Sequence, residues 1–163
     1  MKVLGIDPGF GIVGWAVVDQ GLGVLGCGSI ETPAGGRIED RLLEIYRALG
    51  AVIDEHRPDC AAIERLFFSR NTTTAMDVAK SIGVMMLALR EAGLPFGEYT
   101  PVQVKQAITG YGRATKDQVQ TMISRICKID ACAMKDDVTD AISIAVCHCL
   151  NAGSVRAAAG GAR

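Results

Sequence analysis

Three short runs of apolar and β-branched residues crowd the first 31 positions: 2–7 (KVLGID), 13–18 (VGWAVV) and 24–31 (VLGCGSIE). The breaks between them leave room only for tight turns. The first contains Asp7-Pro8-Gly9, where the proline fixes its own backbone angle and pushes the residue before it into extended geometry. The second carries Gly21 and Gly23. Strands joined this closely pair antiparallel, because a parallel return needs a crossover of about a dozen residues. The chain therefore opens with an antiparallel meander.

At Arg37 the period changes from two to 3.6. Ile38, Leu42, Ile45, Leu49, Val52 and Ile53 recur at helical spacing as far as His56, and Pro58 stops the helix. Residues 60–64 (CAAIE) read as a short buried strand, 72–92 as a second long helix halted by Gly93 and Pro95, and 96–99 (FGEY) as another strand. Thr100-Pro101-Val102-Gln103 gives an N-cap, a proline at the first helical position and a glutamine at the third, which is a capping box. Thr115-Lys116-Asp117-Gln118 repeats that signature for a helix ending near Lys128. A last helix spans 136–151, and a loose tail rich in Ala and Gly follows from Ala152. A meander followed by strand–helix units predicts an α/β protein: a mixed sheet of about five strands with helices on both faces. With 163 residues and no internal repeat or linker, residues 1–151 form one domain and 152–163 its disordered tail.

Composition excludes two classes. Apolar residues at 49% and charged residues at 21% are those of a packed chain, not of a disordered one. No apolar run reaches the roughly 20 residues that cross a bilayer, and the opening MKVLGID lacks the layout of a signal peptide. The six cysteines include no CxxC pair, which predicts free thiols in a reducing cytoplasm. Net charge is −1, but it is unevenly spread: −4 over 1–59, +4 over 60–128 and −1 over 129–163. A basic middle section is informative if its cations surround a site.

Four carboxylates stand at positions where such a site could form. Asp7 and Glu64 each end an apolar strand, near the carboxyl edge where open α/β sheets bind ligands. Asp137 and Asp140 share one face of the first turn of the last helix. Singly, each has an ordinary role: acids complement a helix N-terminus, and Asp before Pro-Gly makes turns. Together they are oxygen ligands for hard divalent cations, two of which about 4 Å apart can clamp a phosphodiester displacement.

These residues carry a resemblance. GIDPG at 5–9, AIE at 62–64, QVKQ at 103–106, TKDQVQ at 115–120 and DVTDAISIAVCH at 137–148 resemble, in order across roughly 1–150, the RuvC family of Holliday-junction resolvases. The resemblance implies a ribonuclease-H-like fold and a homodimer that resolves four-way DNA junctions by paired, symmetric nicks. It implies two Mg²⁺ ions per site, with Mn²⁺ able to substitute, held by the catalytic acids Asp7, Glu64, Asp137 and Asp140. Lys105 and Lys116 match the family's basic residues near the scissile phosphate. The loop 66–71 matches its junction-contacting loop, which brings Phe67, Phe68 and Arg70 to DNA. RuvA and RuvB are implied as partners, with a cytoplasmic, nucleoid-associated location. Asp136 adjoins Asp137, so either could be the ligand, although the three-residue spacing to Asp140 favours Asp137.

Three further expectations come from the residues. Arg113, beside Gly110-Tyr111-Gly112, joins Arg70, Lys105 and Lys116 in a basic rim that meets phosphates. Lys116 opens a helix, where a cation opposes the dipole, and a residue placed against its local preference invites a functional reading. Helix 72–92 is apolar on more than one stripe, which nominates it as the dimer interface, with Met85 and Leu89 in the contact. Other readings remain open on sequence alone. GIDPGFGIVGWAV also looks like the first hairpin of actin-type and sugar-kinase ATPases, which need two lobes. The same fold and metal site could serve a non-catalytic junction binder, or a nuclease acting on RNA–DNA hybrids or another branched substrate.

Overall fold

A computed structural model describes the backbone at residues 1–65 and 72–160, and the side chains at 1–65 and 75–151. Strands β1 (Lys2–Asp7), β2 (Ile12–Asp19) and β3 (Val24–Glu31) form the expected meander. They are followed by α1 (Ile38–His56), β4 (Cys60–Glu64), α2 (Thr72–Glu91), β5 (Phe96–Tyr99), α3 (Pro101–Thr109), α4 (Lys116–Cys127) and α5 (Asp136–Gly160). The single sheet has the order β3-β2-β1-β4-β5. β1 pairs antiparallel with β2 and parallel with β4, so the first strand is the centre of a mixed sheet.

Alternation along the strands sends side chains into two cores. Leu4, Ile6, Val13, Val17, Ala61 and Ile63 pack against α1 and α2, which contribute Ile45, Leu49, Met85 and Leu89. Val3, Ala16, Val18 and Ala62 face the other way, onto α3, α4 and α5. Helices therefore cover both faces, as the order of elements predicted.

Local rules set most boundaries. Both capping boxes form in full: Thr100 Oγ1 accepts from the Gln103 N–H at 3.2 Å, and Thr115 Oγ1 accepts from the Gln118 N–H at 3.3 Å. Each glutamine side chain returns the bond to the cap's own N–H. α1 ends with Arg57 in the left-handed region, because Pro58 disfavours a further helical residue before it.

Two expectations are corrected. Met85 and Leu89 are fully buried in the core and cannot form an interface. The outward face of α2 instead presents Met76, Gly83 and Leu87. The last helix also passes Asn151, and its backbone continues to Gly160, where a loose tail was expected from Ala152. Residues 157–159 are all alanine, the strongest helix former, and no proline interrupts the segment.

Candidate active site

The position of the site follows from strand parity and from two glycines. On β1, Val3 and Gly5 face α5, so Asp7 points to that side too; on β4, Cys60 and Ala62 do the same, and so does Glu64. The parallel register pairs Ile6 with Ile63. Asp7 and Glu64 are thus the next residues along two neighbouring strands, on one face of the sheet's carboxyl edge.

α5 reaches that edge because Gly5 and Gly14 let it lie directly on the sheet. A Cβ at Gly5 would stand 2.1 Å from the Ala141 carbonyl oxygen, and one at Gly14 would stand 2.0 Å from that of Asp137. Asp137, Ala141 and Ala145 form one i, i+4, i+8 ridge, and the two glycines are its seat. The first turn of α5 is thereby held against β1 and β2, with Asp137 and Asp140 beside Asp7.

The four carboxylates act on one another. Burial, followed by the charges of Asp140, Glu64 and Asp137, pushes the Asp7 carboxyl up from 3.8 to about 8, against a smaller pull from Lys116. Glu64 is raised by burial and then by Asp140, opposed by Lys105 and Lys116. Burial also raises Asp140, against its hydrogen bond from Lys116. Removing carboxylates from water disfavours their charge, and gathering several compounds the effect.

Two lysines face this cluster. Lys105 from α3 and Lys116 from α4 line a cavity of about 180 Å³ together with Glu64 and Asp140. The Lys116 Nζ lies 3.1 Å from Asp140 Oδ2 and 3.1 Å from Asp136 Oδ2. Desolvation works against its charge, but these two bonds outweigh it and raise the Lys116 pKa. Among the described residues, no three His, Cys, Asp or Glu side chains are arranged to hold an ion as they stand. The Lys116 ammonium offsets part of the cluster's charge. The donor set nevertheless suits a hard divalent cation: every candidate ligand is a carboxylate oxygen, and the cluster carries more negative charge than its lysines offset.

The sequence-predicted residues divide into three groups. Asp7, Glu64, Asp137, Asp140, Lys105 and Lys116 converge. Arg113 is exposed on the α3–α4 turn and does not line the acidic cavity. Phe67, Phe68 and Arg70 lie outside the described residues. Of the adjacent pair, Asp137 packs on Gly14 and raises Asp7, whereas Asp136 binds Lys116 and Gln120 and raises Asp140. Gly5 and Gly14 were missed as positioning residues. Their signal was available, since an isolated glycine inside a strand marks close backbone approach.

Comparison with known proteins places this geometry. Residues 3–148 match the family described as crossover junction endodeoxyribonuclease RuvC. The chain belongs to the RuvC family. The RuvC protein of Chloroflexus aggregans is 45% identical over 155 residues, covering 93% of this chain and 94% of that one. The RuvC protein of Brevibacillus brevis is 46% identical over 151 residues, covering 91% of each. Among solved structures, T. thermophilus RuvC in complex with Holliday junction substrate superposes with a TM-score of 0.90 at 31% identity, over 95% of this chain and 96% of that one. RuvC membership makes the chain a DNA endonuclease of the crossover-junction class. It also settles the architecture against the two-lobed ATPases that share the opening hairpin. The five residue stretches that suggested RuvC all fall inside the matched region.

Proposed function

We propose that this chain resolves four-way DNA junctions by paired, symmetric phosphodiester hydrolysis, in homologous recombination and DNA repair. The observation that carries this reading is the convergence of Asp7, Glu64, Asp137 and Asp140 at one sheet edge, where burial and then the neighbouring charges raise the Asp7 carboxyl to about 8, with Lys105 and Lys116 alongside. Those four acids would hold two divalent cations, Mg²⁺ or Mn²⁺. When bound, the cations would activate water and stabilise charge on the attacking and leaving oxygens.

The chain's own groups do the rest. The sheet edge and the first turn of α5 fix the backbone of the four acids before substrate arrives, so only their side chains have to adjust. Lys116 and Lys105 meet the phosphate, and Lys116 stabilises charge developing on it. Arg113, together with Phe67, Phe68 and Arg70 in the stretch that follows β4, extends the contact to the junction arms. Residues 1–151 make up the nuclease domain.

A junction has approximate two-fold symmetry and resolving it takes two nicks, so two copies related by a two-fold axis match the substrate. The outward face of α2, with Met76 and Leu87 more than half exposed, supports a homodimer contact there. RuvA and RuvB are the proposed partners, in the cytoplasm at the nucleoid. Among the described residues no helix is long and apolar enough to cross a membrane.

The test is cleavage of a synthetic four-way junction against a linear duplex of the same sequence, with and without Mg²⁺. The expected result is Mg²⁺-dependent paired nicks in the junction alone. Asp7→Asn should abolish nicking and leave junction binding intact. Equal cutting of both substrates, or near-wild-type nicking by Asp7→Asn, would overturn the reading.

A further inference from the structure

Lys116 is held from two sides, and one of the two carboxylates lies outside the four-acid cluster. Asp136 Oδ2 and Asp140 Oδ2 each stand 3.1 Å from its Nζ. Asp140 belongs to the group that raises Asp7. Asp136 does not; its side chain is 66% exposed, and within the cluster its charge acts on Asp140, which shares Lys116 with it. The second oxygen of Asp136, Oδ1, accepts a hydrogen bond from Gln120 Nε2 at 3.2 Å. Gln120 lies one turn beyond Lys116 on α4, on the same helical face. One helix therefore supplies both the ammonium and the amide that orients its anchor, while the anchor sits on the first residue of α5.

We propose that Asp136 is a positioning residue for Lys116, and that Gln120 fixes Asp136 in turn. The inference rests on the role given to Lys116 above and adds the means by which its ammonium is kept in place. A lysine carries its charge on a flexible four-carbon stem and loses considerable rotamer freedom when that charge is fixed. Asp140 cannot serve as the sole anchor, because its carboxylate belongs to the cluster that would hold the cations. Asp136 is free of that duty and keeps its grip on Lys116 whatever engages Asp140. The adjacent acids thus divide the work: Asp137 faces the cluster, and Asp136 faces the lysine.

The pair is exposed, so its effect is small and measurable. Exposed charge pairs of this kind correspond to roughly a 1.5-fold to fivefold change in rate. Steady-state nicking of a four-way junction would be measured for the wild type, Asp136→Asn, Asp136→Glu, Lys116→Ala and the double variant Asp136→Asn/Lys116→Ala. Asp136→Asn should lower kcat roughly 1.5-fold to fivefold with KM unchanged, and Asp136→Glu should recover part of the loss. In the Lys116→Ala background, Asp136→Asn should have no further effect, because the group it positions is gone.

A purely structural role for Asp136 would slow both backgrounds alike, and that result overturns the proposal. So does a kcat for Asp136→Asn at or above the wild-type value when Lys116→Ala is slow, which leaves the role of Lys116 standing. Wild-type cleavage by Lys116→Ala overturns both.

Discussion

Gly14→Ala is the sharpest probe of how the acidic cluster is assembled. The added methyl would stand 2.0 Å from the Asp137 carbonyl oxygen and 3.1 Å from its Cβ, where ordinary contact begins at 3.4 Å. The obstacle is backbone on both sides, a helix turn above and a paired strand below, so no side chain can swing away. The first turn of α5 must retreat by about 1.4 Å, the difference between 2.0 Å and the 3.4 Å of ordinary contact. That motion carries Asp137 and Asp140 away from Asp7 and Glu64, which stay with the sheet. A misplacement of about 1 Å can cost on the order of a hundredfold in rate. Overpacking of a well-packed contact costs about 1–3 kcal/mol, which a typical domain survives. Gly14→Ala should therefore remain folded and cleave junctions about a hundredfold more slowly. The assay pairs single-turnover junction cleavage with urea unfolding. Gly50→Ala is the control: Gly50 lies inside α1 with nothing within 4 Å of the added carbon, so stability should rise by about 0.5–1 kcal/mol and the rate should not change. A Gly14→Ala protein that cleaves within threefold of wild type would show that the close seating of α5 on β2 does not place the acids.

Two further outcomes are expected. The folded value of Asp7, about 8, lies above the 3.8 of an ordinary aspartate, so between those pH values the folded chain keeps a proton that the unfolded chain has released, and stability falls as pH rises. The thermal midpoint of cation-free protein should drop across that window and Asp7→Asn should flatten the slope; an identical slope in Asp7→Asn would assign it to other groups. On α2, Leu87→Glu should give a folded monomer by light scattering, whereas Met85→Glu should fail to fold, because Leu87 is 60% exposed and Met85 is fully buried; a Leu87→Glu protein that stays dimeric would move the interface elsewhere.

The sequence was most legible where structure is decided within a few residues. The meander, the switch of period at Arg37 and both capping boxes follow from turn chemistry and side-chain spacing, and each stands where it was expected. The strand-end positions of Asp7 and Glu64 were legible for the same reason, since parity along two short strands places both carboxylates on one face. Legibility failed where the answer depends on which neighbour a surface meets. Helix α2 is apolar on several stripes, and periodicity alone does not say which stripe meets the sheet, so Met85 and Leu89 were taken for an outer face. The length of α5 was underread because glycines near its end were weighed more heavily than its alanines. For Asp136 and Asp137, the spacing to Asp140 favoured the second, but the bonds of Asp136 to Lys116 and Gln120 depend on the packing of α4 against α5. No local pattern encodes that packing.

The order in which the chain is made gives the central strand a further significance. Asp7 stands on β1, while Asp137 and Asp140 arrive only with α5, after the other strands and helices among the described residues. The sheet can pair while translation continues, but its carboxyl edge then holds two of the four acids and lacks the helix that buries Gly5 and Gly14. A nascent RuvC chain is therefore without a complete cutting site until its last helix has docked. The nuclease cannot act on DNA beside a translating ribosome before α5 has been made and has docked.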